Sequence, residues 1–406
     1  MKHLLLPFLF SLLWGKAAAA ADWPHYLGPN QNTLVSGQAD GDELVPIWKA
    51  QVGMGCSTFS VVGNRVYTMG NNGQDVSSLF CLDARTGEVL WRGSFRSDST
   101  KKNFGGGGTP FYGGPNSTPA VDGNRVYTVG RFGQVICWDA ESGEMVWSWN
   151  WTQALPSYSL PQWGYAGSPV VSGERLFVEP GGEGNSVVCL DKKTGQVLWT
   201  AGDDEAGYAT PVVARIDGRE TLLSFNAFGL VGRSLEDGQE FFRYRWKTSY
   251  QVNSASPVVV NENQIFLSSG YGTGCVLLQV KGGQVTPLWR NKNLRNKHTV
   301  SVFLDGYLYG FDERSLVCLD IRNGDIVWEE KRYRGKGALS MTTENQVFLV
   351  SEKGQVALGK VTPQGFQETD SKQTFSEAHS WVMPIYSNGR LFTKDVKGNV
   401  VAFAVQ

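Results

Sequence analysis

The chain is written in short runs where apolar and polar residues alternate. Arg-Val-Tyr-Thr-Val at 125–129 and Val-Ile-Cys-Trp-Asp at 135–139 are of this kind, with Gly-bearing stretches between runs. Period-two alternation bounded by turn residues predicts half-buried β-strands. The turns repeat as well: CLDARTGEVLW (81–91) returns as CWDAESGEMVW (137–147), CLDKKTGQVLW (189–199) and CLDIRNGDIVW (318–328). Upstream, STPAVDGNRVYTVGRFGQVICWDAESGEMVW (117–147) matches segments 57–91 and 167–199, so each unit holds three alternating strands and a fourth that carries a Trp. Weaker copies at 209–246, 255–289, 299–328 and 338–366 continue the series, the last without its Trp.

The ends of the chain complete the pattern. Residues 383–406 supply three strands with no fourth, and 44–52 supply a lone fourth strand with Trp48. Joining them closes a ring of four-stranded antiparallel sheets with no exposed edge. The expected fold is therefore all-β, an eight-bladed propeller closed by an N-terminal strand. Within each turn, Asp83 or its equivalent can accept backbone N–H groups, while Gly87, Gly143, Gly195, Gly238 and Gly324 supply a residue able to take positive φ. Trp48, Trp91, Trp147, Trp199, Trp246, Trp289 and Trp328 are expected to pack between neighbouring blades.

Composition narrows the class further. The 406 residues carry 18% charged side chains, 49 Gly, 14 Trp and a formal charge of −1, with no basic run suited to a phosphate backbone, so nucleic acid is not an expected partner. Residues 1–21 combine Lys2, an apolar run from Leu4 to Trp14 and a small-residue end, the layout of a cleaved secretory signal peptide and too short for a membrane span. Residues 22–43 then form a leader, and 44–406 a single propeller domain. The mature chain is expected to be a periplasmic or secreted monomer with no membrane span. Cys81, Cys137, Cys189 and Cys318 hold equivalent positions in different units, so all six cysteines are expected to be free thiols.

The Leu-Asp-x-x-Thr-Gly-x-x-x-Trp string, with Ser-Pro-Val-Val upstream, resembles the pyrroloquinoline-quinone-like (PQQ-like) repeat of eight-bladed propellers over roughly residues 44–406. That group contains periplasmic quinoprotein alcohol dehydrogenases and non-enzymatic envelope scaffolds such as BamB. The leader DWPHYLGPNQNTLVSG (22–37) is similar to that of other exported bacterial proteins with these repeats. For a dehydrogenase the resemblance implies PQQ, calcium held by carboxylate and Asn oxygens, an Asp base and two adjacent cysteines. No cysteines are adjacent here, and no carboxylates cluster in the loops before the first strands, apart from Asp203, Asp204 and Glu205, which read as a solvated acidic loop.

Other chemistry has little support. His25, His298 and His379 lack ligand spacing, no Gly-x-Ser-x-Gly elbow is present, and the Gly run 105–108 lacks the context of a phosphate loop. No catalytic residue, metal site or cofactor is expected. The loops between blades hold Phe104, Tyr112, Tyr158, Trp163, Tyr165, Tyr208, Tyr250, Asn253, Lys297, His298, His379 and Trp381, a contact surface at the funnel mouth. The expected function is a non-catalytic, BamB-like scaffold binding envelope protein partners. The alternative is a small PQQ-dependent dehydrogenase with calcium, using Trp163 or Trp381 as a stacking floor.

Overall fold

The computed structural model describes residues 22–97, 113–376 and 379–406. The expected signal peptide, the Gly run 105–108, Phe104 and Tyr112 lie outside them. Eight antiparallel sheets are arranged in a ring, and the first strands of neighbouring blades contact one another round the axis. Blade 1 is typical: Ser60–Val62, Arg65–Asn71, Val76–Asp83 and Val89–Arg96 run outward in sequence order. Blade 8 takes three strands, Ile385–Ser387, Arg390–Lys394 and Asn399–Val405, from the C-terminus, and Leu44–Gln51 from the start of the chain. Leu44 pairs with Val405 and Gln51 with Asn399, so the ring is closed as the half-units predict.

The recurring string is explained by contacts between consecutive blades. In blade 1 the Arg85 and Thr86 amides donate to Asp83 Oδ1 at 2.8 and 3.0 Å, and Gly87 takes φ 74°. A Cβ on Gly87 would lie 2.5 Å from the ring of Trp48, in the preceding blade. Gly143 meets Trp91 in the same way, Gly195 meets Trp147, Gly238 meets Trp199 and Gly324 meets Trp289. The indole N–H of Trp48, Trp91, Trp147 and Trp199 then donates to Ala84, Ala140, Lys192 and Leu235 carbonyls in the next blade's turn. The glycine thus meets two demands, a left-handed backbone and a flat seat for the neighbour's indole. Each Cys of the string sits opposite its own blade's Trp, buried at 0% exposure, and all six cysteines are free.

Two blades depart from the register. In blade 4, Phe242 pairs with Gly232 in the position where Trp199 pairs with Cys189, so Phe242 replaces the repeat Trp. Trp246 lies four residues further on; it is buried, donates to Ser269 Oγ at 3.0 Å and packs under Arg290 of blade 5. It bridges blades, but not as a member of the repeat. In blade 7 the Trp register is held by Asp370, whose carboxylate accepts the Leu44 amide at 2.8 Å. Blade 8 has no turn at that place, because its third and fourth strands are not consecutive; Glu43, at the end of the leader, and Gln406 meet there and exchange backbone bonds of 2.9 and 3.1 Å.

The leader carries no repeat, yet it runs across one end of the channel. Trp23 bridges to Val61 of blade 1, the Pro24 carbonyl accepts Val121 N–H of blade 2, and Gln31 Oε1 accepts Val213 N–H of blade 4. Leu34–Val35 then pairs in parallel with Ala338–Thr342, making a fifth, innermost strand of blade 7. Trp23, at 0% exposure, anchors this plug in the hydrophobic core that joins blades 1, 7 and 8.

Candidate functional site

A cavity of about 520 Å³ occupies the axis, and all eight blades contribute the residues just before their first strands. Cys56, Thr58, Asn116, Ser168, Thr210, Ser254, His298, Lys336 and Met383 form this ring. Part of it is a hydroxyl latch between blades: Thr58 N–H donates to Thr118 Oγ1, Thr118 N–H to Ser168 Oγ and Ser168 N–H to Thr210 Oγ1, at 3.2, 2.9 and 3.0 Å. Tyr26 of the leader also lines the cavity. The plug thus underlies a funnel whose other walls are the loops between blades.

Aromatic rings follow one another round the mouth. Tyr208 lies 5.8 Å from Trp163 between centroids, Trp163 6.4 Å from Tyr250, and Tyr250 6.0 Å from Tyr271. Lys297 Nζ sits 3.9 Å above the Tyr271 ring. On the other side Trp381 packs against His298 at 4.6 Å and stacks on His379 at 5.2 Å, with Lys336 Nζ 5.6 Å from its ring.

Among the described residues, two lysines and no carboxylate line the cavity. Glu352 stands behind the wall, 3.5 Å from Lys336 Nζ, and its carboxylate also accepts the Lys336 backbone N–H at 3.4 Å and the Trp381 indole N–H at 2.9 Å. Burial alone would raise the Glu352 carboxyl, but the Trp381 N–H and Lys336 outweigh it and hold it below the usual range. Burial, and then the charge of Lys336, holds Lys297 below an ordinary lysine. Burial followed by both lysines pushes His298 down to about 3, so it is neutral at physiological pH. Deeper in, burial pushes Lys394 down to about 8; it is wholly buried and donates to Thr68 Oγ1 and Met69 O. Burial raises the Cys56 thiol, opposed by Lys394 and Arg131.

The structure divides the residues singled out in the sequence. Trp163, Tyr208, Tyr250, Lys297, His298 and Trp381 meet at the cavity, and His379 joins through its stack on Trp381. Tyr158 is exposed but lies beside Gly182, away from the cavity wall. Tyr165 is a core residue, edge-on to Trp151 at 4.6 Å, with its hydroxyl donating to Pro180 O. Asn253 is fully buried and tethers the Asn226 and Trp246 carbonyls while accepting from Ser269 Oγ. Neither Tyr165 nor Asn253 can present a contact surface. Asp204 also differs from the solvated loop expected of it: it is buried, paired with Arg243 at 3.2 Å and bonded by Asn226 Nδ2.

Sequence reasoning missed Lys336, Tyr271, Tyr26 and the hydroxyl ring. Lys336 occupies the place just before a first strand that the other lining residues share, and the Ser/Thr-Pro pairs ahead of the first strands mark the latch. Tyr271 comes from a turn inside blade 5, and Tyr26 from the leader, where no repeat marks either of them.

A family model described as outer membrane protein assembly factor BamB matches residues 77–330. The chain belongs to this family of PQQ-like repeat propellers. Among its relatives, BamB of Yersinia pestis is 23% identical over 248 residues, covering 59% of this chain and 62% of that protein. A quinoprotein ethanol dehydrogenase of Pseudomonas putida is 26% identical over 192 residues, covering 43% of this chain and 28% of the enzyme. The chain thus spans less than two thirds of the length of the curated relatives it matches. Among solved structures, BamB of Moraxella catarrhalis superposes with a TM-score of 0.64 at 16% identity, covering 89% of this chain and 98% of that one. A quinohemoprotein alcohol dehydrogenase of Comamonas testosteroni does so at 0.65 and 13%, covering 96% and 81%. At such identities these likenesses establish the shared fold alone.

Proposed function

We propose that the chain is a non-catalytic, exported scaffold of the bacterial cell envelope that holds protein partners at its funnel mouth, an assembly role like that named for its BamB relatives. On this reading residues 1–21 are removed on export, 22–406 act as one monomeric unit in the periplasm or outside the cell, and no cofactor is needed. The observation that carries it is the mouth: Tyr250 and Tyr271 are 67% and 37% exposed in a continuous arc of rings, a composition typical of protein contact surfaces. Among the described residues, no helix is long and apolar enough to cross a membrane.

The second reading, a PQQ-dependent dehydrogenase, draws on the shared fold and on Trp163 and Trp381, which both line the cavity. The donor set fits it poorly. Among the described residues the cavity wall offers hydroxyl and amide oxygens but no carboxylate for calcium or for a general base, and no group of three His, Cys, Asp or Glu side chains could hold a metal ion.

The test has two arms. Purified protein is incubated with PQQ and calcium and passed through gel filtration. Retained cofactor absorbance together with dye reduction by an alcohol would reverse the choice. In parallel, envelope proteins are captured on the wild type and on a Trp163→Ala, Tyr250→Ala, Trp381→Ala variant. Scaffold function predicts specific capture that the triple variant loses, whereas capture unaffected by the three changes would contradict binding at the mouth.

A further inference from the structure

The mouth holds two features that aromatic packing leaves unexplained. Tyr250, Gln251 and Tyr271 take φ of 61°, 57° and 55°, a left-handed backbone that bulky side chains rarely adopt. Such conformations persist where the surrounding structure holds them, and they concentrate at binding sites. Here they set the two tyrosine rings 6.0 Å apart at the edge of the cavity, next to Trp163. The second feature is charge. Lys297 and Lys336 face a cavity with no carboxylate among its described lining residues; Glu352 pairs with Lys336, Glu313 behind Lys297 accepts the Tyr271 N–H and pairs with Arg295, and Lys297 rests on the Tyr271 ring. Like charges held together out of bulk water repel, and an incoming anion relieves that repulsion.

We infer that the funnel receives a chain segment of a protein partner bearing a carboxylate beside an aromatic side chain, with the carboxylate between Lys297 and Lys336 and the ring in the arc of Trp163, Tyr250 and Tyr271. The inference rests on the reading of the mouth as a protein-binding surface and specifies what that surface selects. A polypeptide is favoured over a free small molecule by the remaining wall. Asn116 and Gln162 present amides, groups suited to peptide N–H and C=O partners, while the Thr58, Ser168 and Thr210 hydroxyls are engaged between blades. A volume of about 520 Å³ admits the tip or end of a chain and excludes a folded domain.

Fluorescence anisotropy with a labelled, capped peptide Gly-Ser-Tyr-Glu-Phe-Ser-Gly, and with its Gln counterpart, tests this directly. The Glu peptide is expected to bind about tenfold more tightly or better. A Lys297→Gln, Lys336→Gln variant is expected to abolish the difference, and Tyr158→Ala to leave it unchanged. Equal binding of the two peptides to the wild type would overturn the inference without relying on any protein variant. Competition by 4-hydroxyphenylacetate at the affinity of the Glu peptide would also overturn it, in favour of a small-molecule site. If charge selectivity fails while envelope capture still depends on Trp163, Tyr250 and Trp381, only this inference falls; if both fail, the scaffold reading falls with it.

Discussion

At the scale of single residues, the glycine and the tryptophan of one repeat never meet each other. Gly87, Gly143, Gly195, Gly238 and Gly324 each seat the Trp of the preceding blade, and Trp328 reaches blade 7 through its N–H bond to Thr362 O, so the string records contacts between neighbours. Gly143→Ala tests this, because a Cβ there stands in left-handed backbone and 2.5 Å from the Trp91 ring. Gly123→Ala is the control: its φ of 54° is also left-handed, but nothing lies within 4 Å of the added methyl. Urea unfolding should show a loss of about 1–2 kcal/mol for Gly123→Ala, from backbone strain alone. Gly143→Ala should lose a further 1–3 kcal/mol or so through overpacking. Equal losses would mean that the Trp seat is unimportant.

Residue-scale electrostatics give a second expectation. Burial pushes His25 down to about 4, and burial together with Lys336 and Lys297 pushes His298 down to about 3. Both folded-state values lie below the 6.5 of an unfolded histidine, so their contribution is complete above pH 6.5 and is lost as pH falls, because the unfolded chain takes up the protons first. Each should remove about 2 kcal/mol by pH 5. In chemical denaturation from pH 7 to pH 5, His298→Gln should lose less stability than the wild type; a parallel pH dependence would contradict the neutral imidazole.

At the scale of elements, the blades and their closure were legible because three periodicities coincide: alternation within strands, Asx-Gly turns between them, and the recurrence of the whole unit. Even the missing Trp of blade 7 has a cause in the topology, since the Glu43–Gln406 pairing occupies the place where its seat would be and Asp370 binds the Leu44 amide instead. The candidate site was legible only in part. Trp163 and Tyr165 stand two residues apart in one loop, yet one lines the cavity and the other fills the core, a difference set by Trp151 and Pro180 rather than by local pattern. Asp204 is buried because Arg243, on a distant strand, and Asn226 satisfy it.

The path of the leader could not be read from the repeat at all, since its partners are the inner strands of blades far apart in sequence. Trp23→Ala should therefore lower stability by about 3–5 kcal/mol, as for a large side chain removed from a core. Deleting residues 44–51 should leave Asn399–Val405 as an open edge and produce concentration-dependent oligomers in sedimentation velocity. A monomeric deletion variant would contradict the closure role of this strand.

At the scale of the whole molecule, a closed ring with a plug beneath it presents its aromatic and cationic residues through the loops between blades. The outer strands are also apolar in places: Val89, Leu90, Val197, Leu198, Ile326 and Val327 are exposed just after the turns of their blades. On the proposed function the partner binds at the mouth and not on this rim. Site-specific photo-crosslinking in living cells separates the two, with a photoreactive residue placed at Tyr250 in one strain and at Val197 in another. Binding at the mouth predicts discrete crosslinked protein bands from position 250, competed away by the acidic aromatic peptide, and none from position 197. Crosslinks from position 197 alone would contradict it.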